Sequence, residues 1–330
     1  MQDAALTGRL VSVAEASLAI RQGQCLSIAG DERLLRLLPR GQWIGGTCPY
    51  FLGQDGGETT KEKLFITTIP TFTDAPIIKL CDESDLENIG LRAPLHGFTM
   101  MIIPGFTAIH TFFARYAPHI KDIFMQPLVG WVSGFHLDDT TASAKVINGQ
   151  TLQMDAQRAV VIHVPLPSYK FARVGMVNVF KKGTGPVIQP RETGFTIRNC
   201  MIDGKMSILS NYISRHKIDT RLPLVANYNG VSVNASIKEV RTADGAVDFY
   251  APLFPDCEYT FAAPVDDYIT HFNQIMPVEA LDAHWACNCV LNYQYLGLEG
   301  KKVNSVNCPM VFGEIAYQLV NQTMVYLIVE

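Results

Sequence analysis

Apolar residues in this chain come in short runs, and glycine and proline interrupt the longer ones. The longest, residues 98–113, is broken at Pro104-Gly105. Nothing in it approaches the ~18 uninterrupted apolar residues that make a membrane-spanning helix. Runs such as Leu64-Phe65-Ile66-Thr67-Thr68-Ile69 and Pro76-Ile77-Ile78-Lys79-Leu80 have the length and β-branched content of strands. Strand signals outnumber helix signals, and many neighbours are spaced like hairpins. The expected fold is α+β, or mixed α/β, with two domains of largely antiparallel sheets flanked by helices.

With 330 residues the chain is too long for one ordinary core. Its 48% hydrophobic against 18% charged content excludes disorder and supplies enough to bury. Lys181-Lys182-Gly183-Thr184-Gly185-Pro186 reads as a linker, which divides the chain into an expected first domain, 1–185, and a second, 186–330. A net charge of −4 with scattered Lys and Arg leaves no footprint for a nucleic-acid backbone. The start, Met1-Gln2-Asp3-Ala4-Ala5-Leu6, lacks a basic region followed by an apolar run. A cytoplasmic protein without a membrane partner is the expectation. Eight irregularly spaced cysteines then read as reduced thiols, mostly small core residues.

Local signals fix several elements. Ser12-Val13-Ala14-Glu15 is a capping box ahead of an apolar stripe, and Asp31 can cap the Leu34, Leu35 helix. Residues 54–62, polar and glycine-rich, predict an exposed mobile loop. Asn148-Gly149 predicts a turn whose returning strand is 159–164, and Ala243-Asp244-Gly245 predicts a hairpin. Residues 205–216 and 264–276 have helical spacing.

Candidate chemistry is dispersed. The strand 42–50 runs through Gly45, Gly46 and Thr47, where backbone amides can approach a ligand, although a tight strand exit would look the same. Glu314, presented after Gly313, is a candidate carboxylate or else a turn partner. His284, Cys287, Cys289 and Cys308 are the one zinc-like constellation, but Cys287-Asn288-Cys289 lacks the two-residue spacer of a metal knuckle. Cys48-Pro49 and Cys308-Pro309 each have the form of a cysteine that ligates heme. Gly-x-Ser-x-Gly, phosphate-loop and dinucleotide patterns are missing. No cofactor is therefore expected, with zinc and heme as the minor alternatives.

The tail, Phe312-Gly313-Glu314-Ile315 followed by Asn321-Gln322-Thr323 and a final hydrophobic strand, resembles the C-terminal signature of the FIST sensory domain, a bacterial module of intracellular signal transduction. The stretch 287–300 is similar at residue level, and the order of elements matches over most of the chain. The resemblance implies a small-ligand-binding sensor with N- and C-terminal FIST halves. Its ligand would be an amino acid or related metabolite, and its output would pass to a separate signalling protein such as a histidine kinase or a cyclic-dinucleotide enzyme. Gly45, Gly46 and Thr47 would then meet an anionic group, and Asn288, Cys289, Gly313, Glu314 and Asn321 would complete the lining. Two rival expectations stand beside it: a hydrolase or transferase using Cys289 or Glu314, and a heme-binding gas sensor.

Overall fold

A computed structural model describes residues 8–72, 74–228, 231–303 and 306–330. The reading of Met1 to Leu6 lies outside the described residues. The fold is mixed α+β, with several mostly antiparallel sheets and few helices. Among the described residues no helix is long and apolar enough to cross a membrane.

The chain forms two compact units. One joins the residues up to Val177 with Met276–Gln318 and Met324–Glu330, and the other joins Asn178–Ile275 with Leu319–Thr323. The linker signal at 181–186 lies near the first crossing, but the expected second domain, 186–330, is divided. Long-range pairing is the reason: Met324–Val329 is antiparallel to Ala172–Val177, Cys308–Val311 to Tyr50–Gly53, and Glu314–Ala316 to Leu128–Ser133.

Three sheets build the first unit. In one, the order is Arg9–Val11, Leu64–Thr68, Leu26–Gly30, Trp43–Thr47, Val146–Asn148, Gln153–Asp155. A second runs Glu314–Ala316, Leu128–Ser133, Gly97–Pro104, Ala159–Pro165, Ile77–Cys81, and a third Ala172–Val177, Met324–Val329, Trp285–Cys289, Cys308–Val311, Tyr50–Gly53, Gly56–Thr59. Leu26–Gly30 and Trp43–Thr47 are parallel, as are Gly97–Pro104 and Leu128–Ser133. A parallel pair needs a crossover, and here the two crossovers carry helices Glu32–Leu35 and Ala108–Tyr116.

Helix packing follows from sequence. Ser12 accepts from the Glu15 amide while Glu15 accepts from the Ser12 amide, which starts Val13–Arg21 and turns Ala16, Ala19 and Ile20 onto Leu26, Ile28 and Trp43. Ala108–Tyr116 lays Ile109 and Phe113 on Met101, Ile103 and Val161.

Three local expectations change. Residues 54–62 hold a hairpin strand, Gly56–Thr59, locked in place by Gly57 N–H to Lys301 O (3.1 Å), Gly300 N–H to Gly57 O (2.8 Å) and Thr59 Oγ1 to Glu299 Oε2 (2.6 Å). A side chain at Gly57 would put Cβ 2.3 Å from the Leu298 carbonyl, so the glycine there serves close packing and not mobility. Asn148-Gly149 does turn the chain, but onto Gln153–Asp155, while Ala159–Pro165 joins the second sheet. Residues 205–216 divide into a strand, Lys205–Ile208, and a helix, Leu209–His216.

In the second unit one sheet orders Lys205–Ile208, Asn199–Ile202, Ile188–Pro190, Tyr259–Phe261, Leu224–Tyr228, Val231–Ala235. Another joins Gly194–Ile197, Ala246–Leu253 and Ile237–Arg241, the last two connected through the expected Ala243-Asp244-Gly245 turn. Helix Tyr268–Ile275 buries Tyr268 and Phe272.

Acid sensitivity can be traced to buried histidines, since burial lowers the pKa of both His110 and His163 to about 4. His163 Nδ1 lies 2.8 Å from the Thr99 hydroxyl. Burial, helped by the charges of Lys79 and Arg92, lowers its pKa to about 4. The unfolded chain takes up that proton near the ordinary value of ~6.5, so between about pH 6.5 and 4 the unfolded state binds more protons and stability falls with falling pH. We expect the urea midpoint to drop across that window, and to drop less in His163→Gln. Equal acid sensitivity of the two proteins would remove His163 as a cause.

Candidate functional site

Strand ends collect the polar groups of the first unit. Leu26–Gly30 ends at Asp31, and Trp43–Thr47 runs into Cys48-Pro49, where the chain bends into the third sheet. Leu128–Ser133 in the second sheet ends at Gly134-Phe135-His136. Gly134 N–H donates to Thr47 O at 2.8 Å, which brings the ends of strands from two different sheets together. In open sheets the carboxyl ends of parallel strands are where ligands usually settle. A cavity of about 540 Å³ opens here, lined by residues from 30–36, 47–49, 61, 134–136 and 139–145.

Charges of both signs face it. Arg33 reaches Asp31 (3.1 Å) and Glu62 (3.0 Å), Arg36 reaches Glu32 (2.7 Å), and Lys145 reaches the other oxygen of Glu32 (2.5 Å). Lys61 and Asp139 face each other at 3.6 Å. Burial works against the charge of Glu32, but hydrogen bonds from Lys145 and Arg36 hold its carboxyl below the ordinary range. Asp139 is also held low, by the Thr141 hydroxyl and amide. Its turn, with Oδ1 accepting from the Thr141 and Ala142 amides, shapes the loop along one wall. The Thr47 hydroxyl accepts from the Lys145 amide at 3.0 Å, and His136 stacks on Tyr50 with ring centroids 5.7 Å apart. The arrangement offers donors, acceptors and both charges within reach of one small polar solute.

Of the residues singled out from sequence, Thr47 lines this cavity together with the Cys48-Pro49 pair, and the other proposed ligand-binding residues lie elsewhere. Gly45 and Gly46 are inside the sheet, paired with Ile28 and Ala29 on one side and with Ile147 and Val146 on the other, so their backbone groups serve the ladder. A Cβ at Gly46 would lie 2.8 Å from both Ile102 Cγ2 and Trp131 Cη2. Gly46 lets the two sheets approach, whereas a Cβ at Gly45 would meet Ile147, Trp43 and the Ile28 carbonyl of its own sheet at 3.0–3.1 Å. Asn288 accepts from the Cys289 amide (2.7 Å) and from Asn292 Nδ2 (2.9 Å), which ties the strand to the helix Val290–Tyr295 that follows it. Cys289 is 1% exposed. Gly313 O accepts from the Val132 amide at 2.8 Å. Glu314, fully buried, stands opposite Trp131 in the sheet and not at an open strand end. Its charge adds to burial in raising the pKa of Cys287.

Asn321 belongs to the second unit, in a buried polar network. Its carbonyl accepts from Asn234 Nδ2 (3.1 Å), Asn234 and Asn178 exchange side-chain amide bonds, and Gln322 Oε1 accepts from the Ser236 hydroxyl (2.7 Å). These bonds hold Gln322 at a positive φ of 46°, which makes the Asn-Gln-Thr triplet of the tail a packing motif.

A family profile, a family of unknown function (DUF6976), matches residues 11–330. The chain belongs to DUF6976. No curated protein and no solved structure matches it.

For this DUF6976 chain the metal and heme alternatives meet buried thiols. No disulfide joins any of the eight cysteines, and seven are buried. Burial pushes the Cys48 thiol up to about 12, and its Sγ donates to the Met310 carbonyl at 3.2 Å, so it is held as a neutral donor and not as a thiolate ligand. Cys308 is raised by burial too. Among the described residues no three His, Cys, Asp or Glu side chains are placed to share a metal ion.

The polar lining of the DUF6976 cavity was missed from sequence because Arg33, Arg36, Lys61, His136, Asp139 and Lys145 are scattered over more than a hundred positions. The available signal was three strands that each end in glycine or a small polar residue, one of them followed directly by charge at Asp31. If Gly46 serves sheet approach, Gly46→Ala costs about 1–3 kcal/mol by overpacking, read as a lower denaturation midpoint. An unchanged midpoint would return Gly46 to the candidate lining.

Proposed function

We propose that this chain is a sensor that binds a small polar metabolite in the cavity at the ends of Leu26–Gly30, Trp43–Thr47 and Leu128–Ser133. The observation that carries this reading is the lining itself, with four cations and three carboxylates around about 540 Å³. The volume suits a small metabolite. The near balance of charge favours a zwitterion, such as an amino acid, over a polyanion, because each end of a zwitterion finds an opposite charge. Most lining ion pairs are a quarter or more exposed. Such pairs add little to stability, so exchanging an internal partner for a ligand group costs little.

The tail and element order that resemble FIST domains support a signalling role in the cytoplasm, with output to a separate protein such as a histidine kinase or a cyclic-dinucleotide enzyme. Ligand binding would act by favouring one of two conformations, which requires a difference in affinity between them. The enzyme alternative loses weight because Cys289 and Glu314 are packed in strands at 1% and 0% exposure.

A thermal-shift screen of amino acids, small organic acids and amines tests the reading. A solute at 100 times its Kd should stabilise the protein by about 2.7 kcal/mol, a rise of several degrees. Lys61→Met and Lys145→Met should abolish the rise while leaving the unliganded Tm within a few degrees. A rise that survives both substitutions would place binding elsewhere.

A further inference from the structure

The three carboxylates of the cavity are not held alike. Asp31 Oδ1 accepts from the Arg33 amide at 2.9 Å and caps the helix Glu32–Leu35, so it cannot leave without uncapping that helix. Asp139 accepts from the Thr141 and Ala142 amides and holds a turn. Glu32 differs: among the described residues the hydrogen-bond partners of its carboxylate are side chains alone. Oε1 accepts from Nε (2.9 Å) and Nη2 (2.7 Å) of Arg36, and Oε2 accepts from Lys145 Nζ at 2.5 Å.

One oxyanion thus spans two cations that come from distant parts of the chain. Side-chain exposures are 31% for Glu32, 56% for Arg36 and 25% for Lys145, so solutes can reach all three. The Glu32 carboxylate can swing into water without breaking a backbone contact, and a second oxyanion entering between Arg36 and Lys145 would restore the same pairing. The exchange leaves no buried charge unpaired, which is the usual obstacle to opening an ion pair.

We infer that Glu32 is a built-in competitor, its carboxylate holding the place of an acidic group of the ligand between Arg36 and Lys145. The inference rests on the cavity being the ligand site. It narrows the ligand to one bearing a carboxylate or a phosphate, and makes displacement of Glu32 the first structural consequence of binding. Because Glu32 opens the helix that follows Leu26–Gly30, its release frees Arg36 from its i,i+4 partner on that helix. Local occupancy is thereby linked to a surface element.

Isothermal titration of wild type, Glu32→Gln and Glu32→Gln/Lys145→Met with succinate and with inorganic phosphate tests this. Glutamine keeps the shape of the side chain and removes the competing charge. We expect Glu32→Gln to bind at least one probe about tenfold or more tightly than wild type, and the double variant to lose that gain. Preference for succinate or for phosphate tells a carboxylate ligand from a phosphorylated one. Circular dichroism and Tm establish that each variant is folded, and Glu32→Ala repeats the test if glutamine perturbs the helix. Binding by Glu32→Gln no tighter than wild type, or a gain that persists in the double variant, overturns the inference. If it fails while wild type still responds to a zwitterion in a Lys61-dependent way, the cavity stands as the site and only the displacement is wrong. If no solute binds wild type or Glu32→Gln, both fall.

Discussion

The contact on which this architecture depends is the close approach at Gly46. Two stacked sheets ordinarily keep ~10 Å between them because side chains fill the gap. At Gly46 no side chain intervenes, and Ile102, Trp131 and Ser133 of the second sheet come against the backbone of the first. The next residue, Thr47, can therefore accept a backbone hydrogen bond from Gly134 across the sheets. Gly134 is subject to the same demand, since a Cβ there would lie 2.1 Å from the Phe312 ring. Gly46 thus lets the strand ends meet, and the cavity is the space left where those ends diverge.

The polar residues of the first unit divide by what they face. Asn288 and Glu314 sit in or beside strands with the buried thiols, where desolvation decides their behaviour and raises Cys287, Cys308 and Cys48 above the ordinary thiol range. The groups around the cavity remain in contact with water and pair with one another through partly exposed ion pairs. Burial makes the first set a matter of stability, and solvent access makes the second available for exchange. That contrast is why the functional reading moves from Glu314 to Glu32, Arg36 and Lys145.

Sequence was informative wherever a feature is fixed by neighbours a few residues apart. The Ser12–Glu15 box, the Asp31 cap and the Ala243-Asp244-Gly245 turn are all visible in local spacing, and each forms. The mixed α+β class followed from the number of short strand signals. What did not follow was decided by pairing at long range. Residues 54–62 look mobile until Leu298 to Lys301 are known to bind them, and the tail looks like part of a second domain until its strands are seen to pair with 50–53, 128–133 and 172–177. Gly45-Gly46 was ambiguous for the same reason, because only the opposing sheet tells whether a bare backbone meets a ligand or a tryptophan. The cavity was hardest to foresee, since each of its charges is an ordinary surface residue taken alone.

The most direct test of the account is crystallographic fragment screening with small carboxylates, phosphates and zwitterions. The account predicts difference density between Arg36 and Lys145, with Glu32 turned away and further contacts toward Lys61 and Asp139. Fragments that settle reproducibly at other places, with this cavity empty and Glu32 still joined to both cations, would contradict it.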